Sequence, residues 1–192
     1  MFKRAFDLTF CIFALVFAIP LMVLAGFMVY LEDGWPILFR QERVGKNGHL
    51  FAMYKIRTMV KNVYPGDLYN VDCKSNYKAK NDPRITRVGR LLRRFSLDEL
   101  PQLFNVLAGT MSLVGPRPEL PFLVENYELW QRERFSVMPG ITGWWQINSR
   151  DDQPMQLHIE DDLYYIHNCS IWLDLKIILR TIWVVLSGKG AY

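Results

Sequence analysis

Asp98 and Glu99 are adjacent carboxylates directly behind a basic, apolar-faced run that ends in Arg93-Arg94-Phe95. Two acids in such a field suit phosphate and metal chemistry. An aspartate can attack phosphorus as a covalent nucleophile, and a neighbouring glutamate can hold the Mg²⁺ that neutralises a diphosphate. Ser96-Leu97-Asp98-Glu99 also has the pattern of a helix capping box, with Ser96 as the cap. Pro101 weighs against that placement because it would lie past the first turn, so a helix start or kink near Pro101 is expected. Either way both acids stand near a helix N-terminus, where the dipole and the nearby arginines favour ionised carboxylates. Glycosidase chemistry fits less well: its two acids face each other across a cleft at about 5 Å or more, whereas adjacent helical residues diverge by about 100°.

Further cations accompany the pair. Lys55 and Arg57, two residues apart in an extended stretch, share one face and can point at one phosphate, or stand in solvent as ordinary strand residues. Arg117, fixed between Pro116 and Pro118, is either a preorganised phosphate or uracil-ribose contact or an exposed arginine on a rigid connector. The stretch from Pro139 to Arg150 combines glycines, amides, Trp144, Trp145 and an arginine. Its glycines permit close backbone approach to a ligand, and either tryptophan could instead anchor at a membrane interface. The cysteines (Cys11, Cys73, Cys169) and histidines (His49, His158, His167) are scattered, which excludes a disulfide framework or zinc centre from the reading.

These groups need elements to hold them. The chain has 192 residues, enough for one substantial core, and its 51% hydrophobic content is high for a soluble protein and low for a polytopic one. A net charge of +4 fits an anionic partner without choosing among nucleic acid, lipid headgroups and nucleotides. From Leu8 to Leu31 no residue is charged, and roughly 24 residues would make a helix of about 36 Å, long enough to cross a bilayer. The run is long for a signal peptide and is expected to stay on the protein. Pro20 near its middle predicts two half-helices, each too short to span. Lys3 and Arg4 before the run and Arg40, Arg43 and Lys46 after it want both ends on the cytoplasmic side. A re-entrant hairpin satisfies both features, with a proline-kinked spanning helix as the alternative.

Two apolar arms flank Gly45-Lys46-Asn47-Gly48 and predict a β-hairpin. The polar stretch from Lys61 to Asp82 reads as a loop that could fold over a substrate. Ile85 to Phe95 has helical apolar spacing with interleaved arginines, equally an interfacial helix or a solvated basic face. Ile171 to Leu186 reads as an amphipathic interfacial helix with Trp172 and Trp183 at headgroup depth. The expected class is α+β, mainly helical: a membrane-inserted segment over residues 1–34, and a catalytic domain over 35–192 with one core, a small β-hairpin and interfacial helices.

Taken in order, Lys3-Arg4-Ala5-Phe6-Asp7, Tyr54-Lys55-Ile56-Arg57-Thr58-Met59, Ser96 to Val106, Met111 to Pro118, Pro139 to Gly143 and Asp162-Leu163-Tyr164-Tyr165 resemble the bacterial sugar transferase family, the monotopic polyprenyl-phosphate phosphoglycosyl transferases. The resemblance runs to about Arg180 and is to the form with the catalytic domain alone. It implies Mg²⁺-dependent transfer of a sugar-1-phosphate from a UDP-sugar to polyprenyl (undecaprenyl) phosphate, the first membrane step of bacterial glycoconjugate synthesis, with UMP released. It makes Asp98 the nucleophile, Glu99 the Mg²⁺ ligand, Arg93 and Arg150 phosphate-binding cations, and Lys55, Arg117 and Asp162 further active-site positions. It also implies the re-entrant hairpin, a site on the cytoplasmic face of the bacterial inner membrane, and a lipid rather than nucleic-acid partner. Ile56, Trp145 and Ser149 depart from the family's usual residues without touching the acidic pair. A direct-displacement glycosyltransferase releasing UDP, and a non-catalytic scaffold for glycan assembly, are the competing classes.

Overall fold

A computed structural model of the chain describes residues 2–61, 82–148 and 159–187. Arg150, Ser149, Cys73, His158 and nearly all of the expected loop over 61–82 lie outside the described residues. The molecule is mostly helical, with two small sheets and one long apolar N-terminal helix.

Helix α1 (Phe2–Asp33) has 32 residues, about 48 Å at 1.5 Å per residue. It is the one helix among the described residues long and apolar enough to cross a membrane. Asp7, Cys11, Leu15, Ala18, Ala25 and Val29 are buried along it, a single stripe at helical spacing. Pro20 does not divide it, so the expected pair of separate half-helices is one element. Pro20 is on the exposed side, where the lost backbone bond and the ring's crowding face away from the packed stripe and a helix absorbs them by curving.

Both ends of α1 are tied to the same body. In its first turn Lys3 Nζ meets Asp174 Oδ2 at 2.6 Å, and Arg4 donates to the carbonyls of Val106 at 2.6 Å and Leu107 at 3.1 Å. Those carbonyls close helix α3 (Gln102–Ala108), so a cation sits where the helix presents unpaired acceptors. In its last turn Glu32 accepts from the backbone N–H groups of Arg87 at 2.8 Å and Val88 at 2.9 Å, the first amides of helix α2 (Arg87–Arg94). The acidic turn hangs between α2 and α3, and α1 holds the outer end of each.

Strands β1 (Leu38–Val44) and β2 (Leu50–Ile56) pair antiparallel, from Leu38 opposite Ile56 to Val44 opposite Leu50. The connection turns through Asn47 and Gly48 at φ 55° and 80°, the left-handed region that an Asn-Gly pair tolerates. Ala25 and Val29 of α1, Ile56 of β2 and Leu92 of α2 form a buried cluster against which Leu97 packs, directly beneath the acidic turn. A second cluster joins Cys11, Leu15, Met53, Leu103 and Val106.

Two of the motif stretches meet in a parallel pair, β3 (Ser112–Val114) with β4 (Gly140–Thr142). Just past β3 the backbones come so close that a Cβ on Gly140 would stand 2.1 Å from the Gly115 nitrogen, so only glycine fits. The short helix α4 (Pro121–Val124) and a 3₁₀ stretch (Trp130–Ser136) lead to β4, followed by α5 (Trp144–Asn148), α6 (Ile159–His167) and α7 (Ile171–Ser187). Helix α7 exposes Trp172, Leu179 and Trp183, as an amphipathic helix should. Its Asp174 is not on the polar face: it is buried, accepting from Lys3 and, at 2.7 Å, from the Tyr165 hydroxyl. Trp145 is also buried, which leaves Trp144, tilted against Tyr164 at 4.8 Å, as the more accessible of that pair.

Candidate active site

The acidic pair sits in a single 3₁₀ turn, Leu97–Glu99, and α3 begins just beyond Pro101. No capping box forms. Ser96 is left-handed at φ 53° and its side chain does not cap the turn. That kink lets the chain leave α2 and re-enter α3 with Leu97 pointed into the core and both carboxylates raised beside β2.

The two acids are held differently. Glu99 Oε1 accepts from Lys55 Nζ at 2.8 Å and from Arg117 Nη2 at 2.7 Å. Burial raises its pKa, but Arg117 and Lys55 more than offset that and hold the carboxyl well below the usual range. Asp98 is buried and accepts no hydrogen bond from the described residues. Burial pushes its pKa up, and the charges of Lys55, Arg93 and Arg117 pull against that while Glu99 adds to it. Burial likewise lowers the pKa of Lys55, opposed chiefly by Glu99, and that of Arg93, opposed chiefly by Asp98. Arg93 is oriented by a 2.9 Å bond from its Nε to Thr58 Oγ1. Two adjacent carboxylates edged by three cations, one fixed and one without a hydrogen bond from the described residues, are arranged for phosphoryl chemistry.

Of the residues singled out from sequence, Lys55, Arg93, Asp98, Glu99 and Arg117 converge here. Arg57 does not: its guanidinium pairs with Asp33 and donates to the Gly34 carbonyl at 2.6 Å, fastening the end of α1. Strand alternation would leave it beside Lys55, but it follows the end of β2 and is claimed by Asp33 at the end of α1. Asp162 on α6 is also elsewhere, buried and bonded to Arg134 Nη2 at 2.5 Å. Arg134 itself, which nothing in the sequence reading marked, donates to the Arg117 carbonyl at 2.9 Å and to the Tyr127 hydroxyl at 2.9 Å, with Glu119 Oε2 at 3.6 Å. Asp162 thus reaches the acidic turn through two arginines.

The profile of the family described as bacterial sugar transferase matches residues 1–188. The chain belongs to the bacterial sugar transferase family. Among relatives, it is 41% identical to the undecaprenyl-phosphate galactose phosphotransferase of Salmonella typhimurium over 99% of this chain and 41% of that protein. It is 42% identical to the undecaprenyl-phosphate glucose phosphotransferase of Komagataeibacter xylinus over 99% of this chain and 37% of that one. The chain therefore spans about two fifths of the length of these relatives. Against the sugar transferase EpsL of Bacillus subtilis, of uncharacterised activity, it is 43% identical over 98% of this chain and 89% of that protein. As a bacterial sugar transferase the chain carries its acidic turn, its Pro-Arg-Pro ridge and the α6 aspartate in one connected structure.

Proposed function

We propose that this bacterial sugar transferase moves a sugar-1-phosphate from a UDP-sugar to a polyprenyl phosphate such as undecaprenyl phosphate, through a covalent intermediate on Asp98 and with release of UMP. One observation carries the reading: Glu99 is pinned by two cations, while the adjacent Asp98 carboxylate lies in the same field without a bond from the described residues. The first is suited to holding and the second to attacking. In the first step an Asp98 oxygen bonds to the β-phosphorus of the donor and the bond from that phosphorus to the UMP oxygen breaks. In the second a phosphate oxygen of the acceptor bonds to the same phosphorus, the acyl-phosphate bond breaks, and Asp98 returns as a carboxylate. Neither step needs a proton, so the neighbours required are cations, and Lys55, Arg93 and Arg117 supply them. Arg150 joins them on the strength of the resemblance. Such a two-step course lets a soluble and a greasy substrate use one site in turn.

The donor set also fits Mg²⁺. No cluster of three or more acidic, histidine or cysteine side chains stands ready to hold a metal among the described residues. One or two carboxylates completed by phosphate oxygens and water are the ligands Mg²⁺ takes beside nucleotides, and Glu99, with Asp98 next to it, provides that partial set. When bound, Mg²⁺ would supply charge neutralisation on the diphosphate.

For the membrane, the support is that both ends of α1 bind one body, through Lys3 and Arg4 at the start and Glu32 and Asp33 at the end. A helix crossing a bilayer outright would part those ends. Its outer side exposes Phe13, Phe17, Val23 and Phe27, each of which gains about 1.5–3 kcal/mol on leaving water. We therefore propose that α1 is a monotopic insertion that enters one leaflet without crossing and keeps the catalytic body on the cytoplasmic face of the inner membrane. Labelling that finds residues 3 and 40 on opposite sides of sealed vesicles would overturn this topology.

The deciding experiment is the intact mass of the protein mixed with UDP-sugars and Mg²⁺ without lipid acceptor. An adduct of one sugar phosphate on Asp98, stoichiometric UMP, and loss of both in Asp98→Asn are expected, the rate falling by at least about 10³-fold. Release of UDP, or full turnover by Asp98→Asn, would sink the proposal.

A further inference from the structure

Arg134 is the most buried cation among the described residues, its side chain wholly shielded from solvent. Four groups from three parts of the chain converge on it: the Arg117 carbonyl, Glu119, the Tyr127 hydroxyl and Asp162. Its planar group also lies 5.9 Å from the Tyr127 ring centre and 5.8 Å from that of Phe135. Such a site is too enclosed for substrate. Its connection outward is specific, because Arg134 Nη2 bonds both Asp162 on α6 and the backbone carbonyl of the residue whose own guanidinium grips Glu99.

We infer that Arg134 is a positioning residue for the phosphoryl-transfer site, setting the Pro116-Arg117-Pro118 ridge against α6 so that the Arg117 guanidinium meets Glu99 and the donor diphosphate. This rests on the proposed reaction. The prolines on either side restrict the ridge internally but do not say where it sits. The close passage at Gly115 fixes one end of the ridge. Glu119, whose backbone carbonyl accepts from Val44 N at 2.9 Å, fixes the other. Arg134 takes the carbonyl between them. A lysine there would carry the charge, but its single nitrogen cannot serve the Arg117 carbonyl and Asp162, as Arg134 Nη2 does, and also reach the Tyr127 hydroxyl and Glu119, as Nη1 does. Asp162 belongs to the site because it orients Arg134, and it makes no contact of its own with Glu99.

The test is a double-mutant cycle on UMP release from UDP-sugar, with KM and kcat measured separately. Arg134→Lys is expected to lower kcat/KM about 10- to 100-fold, with a several-fold rise in KM for the UDP-sugar because Arg117 is displaced from the diphosphate. In an Arg117→Ala background the same change is expected to cost less than about twofold, since the residue it positions is gone. A fold defect would scale down the active fraction, leave KM where it was, and cost equally in both backgrounds, and that result overturns the inference. Asp162→Asn, which retains the side chain's size, must show the same dependence on Arg117. If Arg134→Lys does not fold, that variant alone decides. Absence of UMP release from the unaltered protein would instead refute the proposed reaction, so the two failures are distinct.

Discussion

Two clusters of cations and carboxylates meet at residue 117 and differ in almost everything except composition. Around the acidic turn the side chains of Lys55, Glu99 and Arg117 keep 18%, 16% and 29% of their exposure, whereas Arg134, Glu119 and Asp162 keep 0%, 0% and 4%. The first cluster leaves Asp98 without a described hydrogen bond, and the second surrounds its arginine with partners. Charge alone therefore does not mark a reactive centre. What distinguishes the first cluster is a carboxylate left without a hydrogen bond from the described residues, beside cations that solvent still reaches, and a neighbouring region without such freedom holds it in place.

If that division is right, the buried cluster should dominate stability and the open one activity. Arg134→Met is expected to destabilise the fold by about 3–5 kcal/mol, because it strands the Glu119 and Asp162 charges in the interior. Urea unfolding followed by tryptophan fluorescence measures it, and a loss below about 1 kcal/mol would erase the distinction. Glu99→Gln should do the reverse. UMP release falls by about 10²-fold or more, while stability falls by less than in Arg134→Met, since solvent reaches this pairing and screens part of its charge. A large loss of stability in Glu99→Gln would mean that the open cluster is structural as well.

The two regions also differed in how far the sequence disclosed them. The acids, the Asn-Gly hairpin and the apolar N-terminal run follow local rules of composition and spacing, and each appears in the fold near its expected place. Arg134 does not. It lies in Trp130-Gln131-Arg132-Glu133-Arg134, which has the mixed charge of a solvated surface, and its burial depends on Asp162, supplied from a separate helix. Arg4 reads locally as charge flanking the apolar run, yet it closes a helix 102 residues away, and Glu32 closes another 55 residues away. Arg57 belongs with them: strand alternation points it beside Lys55, and Asp33, distant in sequence, claims it. Long-range partners decide such residues, and a single sequence read locally has no term for them.

The finest division between the clusters is in their response to acid. Burial pushes the Asp162 carboxyl up to about 6, although the Arg134 guanidinium pulls it the other way. Below that pH the group takes a proton, its hold on Arg134 weakens, and the Arg117 ridge loses its anchor. UMP release in the donor step should then fall by up to about tenfold at pH 5. The sign for stability is opposite. An unfolded aspartate titrates near 3.9, so between about 6 and 4 the folded chain binds the extra proton, and Asp162 adds stability as pH drops through that window. Activity should thus decline from pH 7 to 5 without a fall in Tm due to this group. Asp98, also raised by burial, would add an acid limb of its own as the proposed nucleophile is protonated. Asp162→Asn separates them: if the limb near pH 6 flattens, the buried cluster sets it, and if it persists unmoved, acid sensitivity belongs to the open site and the proposed division of labour fails at this point.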